Sequence, residues 1–286
     1  MSKPQKGFGK PREDITAVAG LRAALDDTDN IIVGPGIYDG LTARIVLQAG
    51  YDCLYMTGAG ATMSRLGMPD LGLARMNDMV DTAAMIASLD PTVPLIADAD
   101  TGYGGTVMIS RTVSQYMKAG VAALHLEDQV QNKRCGHLLN KQLVLQDEFL
   151  LRIRAAVLAR ERTAGDIVII ARSDALQSLG YEIARDRLRA AIDAGADVAF
   201  LEGITSKEEG RAICQDLAPT PCLFNCVEGS ALPQLSVQEA KDLGYRLIIF
   251  PGTALVPVYE MVMEAAKALK ASSQFVAKDV VRSLWS

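Results

Sequence analysis

Five consecutive residues, Lys133-Arg134-Cys135-Gly136-His137, set a thiol between two cations and an imidazole. They lie a few residues past an apolar run, Ala122–Leu126, that ends in Glu127-Asp128. Such a stretch is poor core material and fits a loop that carries a catalytic acid. Lys133, Arg134 and His137 supply positive charge for substrate carboxylates. Cys135 can give or take a proton, since a thiol titrates at about 8.5.

A second constellation is acidic. Ala97-Asp98-Ala99-Asp100-Thr101-Gly102 follows a buried apolar run, and two carboxylates at i and i+2 point the same way if the strand continues. Glu127 ends the next run, so the three can share one cation. A cluster of hard oxygens suits Mg²⁺, or Mn²⁺, with waters completing the shell. Asp70 reads either as a turn or cap residue or as an outer-sphere partner of that metal.

Other polar residues stand where apolar runs end. Tyr38 can reach a mouth, while its neighbour Asp39 reads as a helix N-cap. Thr57, Gly58 and Ala59 offer a hydroxyl and backbone N–H groups to a carboxylate. Arg172 can fork onto a carboxylate, or pair with Asp174 or Glu202. Asn225 and Glu228 follow the seventh run and Pro251 the eighth. His125, inside Leu124-His125-Leu126, reads as a hydrogen-bonded core histidine, which leaves His137 as the functional one.

The elements that must hold these groups are short. Eight runs look like strands buried on both faces: Ile31–Val33, Cys53–Met56, Pro94–Ala97, Ala122–Leu126, Ile167–Ile170, Asp197–Leu201, Pro221–Phe224 and Arg246–Phe250. Helically spaced segments lie between them, among them Leu41–Gln48, Asn77–Ser88, Val107–Lys118, Asp147–Glu161, Tyr181–Ala194 and Thr253–Lys270. Glycine closes several of these just before a strand, as at Gly50, Gly120, Gly195 and Gly244. The alternation predicts a (β/α)8 TIM-type barrel over residues 15–270, with its active site at the carboxyl ends of the strands. A doubly wound sheet is the alternative, weakened by the lack of G-x-G-x-x-G after the first strand.

Composition narrows the partners. A net charge of −5 over 286 residues, with no basic run, argues against nucleic acid. No apolar run reaches the roughly 18–20 residues of a membrane span. Residues 1–14 are polar and read as a flexible arm rather than a signal peptide, and residues 271–286 as a helical extension. Five scattered cysteines fit a reducing, cytoplasmic setting.

Taken in order, these motifs resemble the isocitrate lyase and phosphoenolpyruvate mutase superfamily. The likeness runs from about Pro35 to Ala268 through Pro35-Gly36-Ile37-Tyr38-Asp39, Tyr55-Met56-Thr57-Gly58, Pro69-Asp70-Leu71-Gly72, the Asp98–Gly104 turn, His125-Leu126-Glu127-Asp128-Gln129, the cysteine loop, Ala171-Arg172-Ser173-Asp174-Ala175 and Asn225-Cys226-Val227-Glu228. The resemblance implies a barrel whose last helix swaps between subunits of a homotetramer. It implies Mg²⁺ held directly by Asp98, with Asp70, Asp100 and Glu127 on its waters. It places Cys135 on a gating loop near 129–142. Phosphonate-handling members lack that loop, so the reading turns to carbon–carbon lyases acting on a 2-hydroxy dicarboxylate. The 2,3-dimethylmalate lyase and oxaloacetate hydrolase group is nearest, and methylisocitrate lyase is close. Pro251 stands where the hydrolases would carry a serine, which favours the lyase. A member that only binds dicarboxylates is the non-catalytic alternative.

Overall fold

The computed structural model describes residues 16–136, 138–227 and 234–272. His137, Glu228, the arm at 1–14 and the extension beyond Ser272 lie outside the described residues. Eight parallel strands close into a barrel in chain order: β1 (Ile32–Ile37), β2 (Leu54–Met56), β3 (Leu95–Asp98), β4 (Ala123–Glu127), β5 (Val168–Ser173), β6 (Val198–Leu201), β7 (Cys222–Asn225) and β8 (Leu247–Phe250), which pairs back to β1. Around them run α1 (Ala17–Asp26), α2 (Gly40–Gln48), α3 (Gly58–Leu66), α4 (Met76–Ala87), α5 (Thr106–Lys118), α6 (Gln146–Arg162), α7 (Leu176–Leu179), α8 (Tyr181–Asp193), α9 (Lys207–Asp216), α10 (Val237–Leu243) and α11 (Gly252–Ser272). This is the predicted (β/α)8 barrel, not the doubly wound sheet.

Strand period decides which side chains meet inside. Tyr55, Ile96, Ala123, Val168, Ile170, Val198, Phe200, Leu223, Leu247 and Ile249 form one buried cluster within the barrel. Helix α1 joins it through Leu21 and Leu25, closing the amino end of the barrel. The alternate strand residues, such as Leu95, Ala97, Leu124 and Ile169, pack outward against the helices.

Local chemistry explains the boundaries. Asp39 caps α2 by accepting from the Thr42 N–H at 2.8 Å, as its type predicts. Gly120 and Gly195 close α5 and α8 with φ of 83° and 106°. Strand β1 runs through Gly34-Pro35-Gly36, which propensity alone would call a break. Its backbone passes so close to Pro251 that a Cβ on Gly36 would collide with the Pro251 carbonyl. Helix α11 has no buried residue and exposes Val256, Tyr259, Met261 and Val262. Among the described residues, no helix is long and apolar enough to cross a membrane.

Candidate active site

The same period-two parity that fills the barrel carries polar side chains into its upper layer. Asp98 lies two beyond Ile96, Glu127 four beyond Ala123, Arg172 two beyond Ile170, Glu202 two beyond Phe200 and Asn225 two beyond Leu223. All five are buried. Groups read from five separate stretches of sequence are thereby brought to one place at the carboxyl ends of β3 to β7. Beneath them His125 is fully buried, with Nε2 3.1 Å from the Tyr55 hydroxyl and Nδ1 3.4 Å from Asp98 Oδ1. Burial, aided by the Arg172 charge, pushes the imidazole down to about 3, so it is neutral.

Asp100 does not arrive by strand alternation. Strand β3 ends at Asp98, and Asp100 takes a left-handed φ of 46° in the turn that follows. Its N–H donates to Asp98 Oδ1 at 2.8 Å, and its carbonyl accepts from the Glu127 N–H at 3.0 Å. Backbone strain of this kind at an acidic turn is a mark of functional sites. Behind Asp98, the Tyr116 hydroxyl donates to its carbonyl at 2.7 Å.

Lys133 occupies the middle of the acidic group. Its Nζ lies 2.8 Å from Asp70 Oδ1 and 2.5 Å from Asp100 Oδ1, with the lysine side chain 3% exposed. Burial opposes the ammonium charge, but Asp100, Glu127, Asp98 and Asp70 together hold its pKa well above the ordinary lysine value. The carboxyls respond to the same burial: Asp100 is pushed up to about 6 and Glu127 well above its usual range. Sequence reasoning grouped Lys133 with Arg134 and His137 as a substrate cation. In the fold it faces the carboxylates, and exposed Arg134 donates to the Leu139 carbonyl at 3.0 Å.

Thr57 and Gly58 form a helix start rather than a free turn. Thr57 Oγ1 caps α3 at the Gly60 N–H, and Gly58 and Ala59 are its first residues, with N–H groups that have no helical acceptor. Gly58 lies against Asp98, where a Cβ would strike the carboxylate. Tyr38 is buried nearby, and desolvation raises its pKa above the ordinary phenol value.

Arg172 forks onto Asp174, with Nε 3.0 Å from Oδ2 and NH2 3.1 Å from Oδ1. It also lies 3.4 Å from Glu127 and 3.6 Å from Glu202, and the Asn225 amide donates to Glu202 at 3.0 Å. The cysteine loop rests on this group: a Cβ on Gly136 would collide with the Arg172 guanidinium and approach Glu202. Cys135 is partly exposed and belongs to no disulfide.

Sequence reasoning missed the residues that fasten the loop. The Gln129 side-chain amide both donates to and accepts from the Arg134 backbone, at 2.9 and 3.0 Å. Val130 N–H donates to Gln142 O, and Val144 N–H to Asp128 O, each at 2.9 Å. Asp128 is clamped by Ser173, the Asp174 N–H and Arg187. Arg152 of α6 donates to the carbonyls of Glu127 and Gln129. Lys141 bonds both Gly136 O and Asp174. Asp128, Gln129, Ser173 and Asp174 lie inside motifs of the sequence, though none read as a fastener of the loop; Val130, Lys141, Arg152 and Arg187 carried no signal.

The acidic group suits a divalent cation. Both Glu127 carboxylate oxygens are buried without a hydrogen bond, and the four carboxyl groups face two cations, Lys133 and Arg172. Among the described residues, no three such groups converge closely enough to ligate one ion directly. Hard carboxylate oxygens fit Mg²⁺, which takes one or two of them and keeps several of its waters.

Comparison with known proteins agrees with the barrel fold. Over 243 residues the chain is 40% identical to the 2,3-dimethylmalate lyase of Eubacterium barkeri, covering 85% of this chain and 83% of that one. A crystal structure of a 2,3-dimethylmalate lyase superposes with a TM-score of 0.91 at 54% identity, covering 93% and 89% of the two chains. Oxaloacetate acetylhydrolase in complex with 3,3-difluorooxalacetate superposes with a TM-score of 0.92 at 51% identity, covering 94% and 92%. Residues 21–270 match the family described as phosphoenolpyruvate phosphomutase, and the chain belongs to that family.

Proposed function

We propose that this protein is a divalent-metal-dependent carbon–carbon lyase that cleaves a 2-hydroxy dicarboxylate, such as 2,3-dimethylmalate, to pyruvate and a short carboxylic acid. The observation that carries the reading is the contact of Gly136 with Arg172 and Glu202, which brings the Cys135 loop over the buried acidic layer. Asp98 would hold Mg²⁺ directly, with Asp70, Asp100 and Glu127 on its waters. Bound there, the ion would lower the pKa of the substrate C2 hydroxyl and stabilise negative charge on its oxygen.

The chain's own residues do the rest. Thr57, the N–H groups of Gly58 and Ala59, and Arg172 hold the half that becomes pyruvate. Glu202, Asn225, Gly136 and Pro251 line the other half, with Glu228 and His137 assigned there from sequence. Tyr38 takes the C2 hydroxyl proton. A phenol accepts a proton only as the phenolate, and burial raises the Tyr38 pKa, so a bound ion and neighbouring charges would have to bring it well below the ordinary phenol value of about 10. As the C2–C3 bond breaks, its electron pair moves onto C3 as a carboxylate enolate, and Cys135 delivers its S–H proton to that carbon. Arg134 and His137 stabilise the enolate. Lys133 can join them only by leaving Asp70 and Asp100, whose charge a bound ion would have to balance.

Exposed apolar residues on α11 support packing of that helix on a second copy, and the homotetramer itself follows from the family resemblance. Likeness to oxaloacetate acetylhydrolase favours a second reading, hydrolysis of oxaloacetate to oxalate and acetate. Pro251 weighs against it, since proline offers neither a hydroxyl nor an N–H to a hydrated ketone. Methylisocitrate lyase differs only in the C3 substituent.

Product analysis on 2,3-dimethylmalate, methylisocitrate and oxaloacetate, with Mg²⁺ and after chelation, tests the reading. Metal-dependent pyruvate from the first is expected. Oxalate from oxaloacetate with no pyruvate from the others would establish the hydrolase instead.

A further inference from the structure

The loop carrying Cys135 is tied to the barrel at two buried lysines. On one side Lys133 reaches Asp70 and Asp100. On the other, Lys141 turns back across its own loop: its Nζ donates to the Gly136 carbonyl at 2.6 Å and pairs with Asp174 Oδ1 at 2.9 Å. The Lys141 side chain is 2% exposed and that of Asp174 is fully buried. Burying an ammonium is costly unless acceptors replace its water. Here one acceptor belongs to the loop and the other to the barrel.

Asp174 is a fixed post. Its N–H donates to Asp128 Oδ1 at 2.8 Å, and Arg172 donates to both its oxygens. The base of the loop is pinned independently by the Val130 and Val144 N–H bonds. The base therefore holds without Lys141; nearer the tip, Lys133 and the Arg134 backbone have ties of their own, and Lys141 is the side chain that bonds the Gly136 carbonyl just after Cys135. Gly136 directly follows Cys135, so fixing its carbonyl fixes the direction in which the chain presents the thiol.

We propose that Lys141 is a positioning residue that latches the Gly136 carbonyl to Asp174 and so aims Cys135 at the mouth of the barrel. The catalytic consequence rests on the reading of Cys135 as the proton donor; the latch itself does not. A proton donor displaced by about 1 Å loses on the order of a hundredfold in rate.

The test uses the full chain with Lys141→Met, and Lys141→Gln as a second variant that keeps a donor of lesser reach. Iodoacetamide labelling is followed at Cys135 and Cys214 by peptide mass spectrometry. Cys214 is the other partly exposed cysteine and reports general loosening. The expected result is labelling of Cys135 at least tenfold faster with Cys214 unchanged, kcat lower by about a hundredfold and KM within threefold. Labelling of Cys135 within twofold of wild type, or a parallel rise at both cysteines, would overturn the latch. If neither variant folds, Lys141 is a stability residue and the proposal is rejected. If the wild type turns over none of the three substrates, the functional reading fails, while the labelling ratio still decides the latch.

Discussion

Lys133 Nζ stands 2.8 Å from Asp70 Oδ1, an ion pair formed between the cysteine loop and the segment after β2. With Asp100 at 2.5 Å, this one ammonium bridges two carboxylates of the acidic layer. Removing one partner of a buried pair strands the other charge, at a cost of about 3–5 kcal/mol. Lys133→Met is therefore expected to be strongly destabilised in chelator, and Mg²⁺ should restore more stability to it than it adds to the wild type. Urea unfolding of both proteins with EDTA and with Mg²⁺ checks this. An equal metal effect in the two would show that Lys133 and the ion do not share carboxylates.

Gly136→Ala places a methyl group against the Arg172 guanidinium and Glu202. The site is a loop, so the barrel should fold with a nearly unchanged melting temperature. The loop must shift to clear the clash, and kcat should fall by about a hundredfold. Steady-state kinetics beside a thermal melt separates these effects; full turnover in a folded variant would mean that the loop does not close on Arg172.

Cys135→Ala removes the proposed proton donor and leaves the acidic layer intact. Turnover should drop by about three orders of magnitude, with Mg²⁺ affinity by calorimetry within twofold of wild type. A variant within tenfold of wild-type turnover would remove Cys135 from the reaction.

Asp174 links stability to pH. Burial opposes its ionisation, but Arg172 and Lys141 outweigh burial and bring the carboxyl down to about 2 from 3.8. A depressed carboxyl pKa stabilises the fold fully above the unfolded value, and the contribution drains away as pH falls through the folded one. The gap in unfolding free energy between wild type and Asp174→Asn should thus be widest at pH 5 and shrink toward pH 2.5. A gap constant over that range would show that Asp174 carries no such linkage.

The barrel was legible because buried parallel strands announce themselves as short apolar runs, and the residues at their ends inherit a common direction. Asp98, Glu127, Arg172, Glu202 and Asn225 could be gathered from sequence for that reason. Gly34-Pro35-Gly36 hid most of β1, since its need for glycine comes from the Pro251 backbone, two hundred residues away in the chain. Asp100 was placed near the right carboxylates by a wrong route, because a turn with positive φ brings it there instead of a continued strand. Lys141 left no trace at all. A single lysine in a polar loop has no period, and its partner Asp174 sits on a different element.

Helix α11, exposed from Val256 onward, carries a further consequence. Burying Tyr259, Met261 and Val262 against another copy would release free energy that an isolated chain does not collect. Resistance to unfolding would then rise with protein concentration, and dilution alone would act as a denaturant.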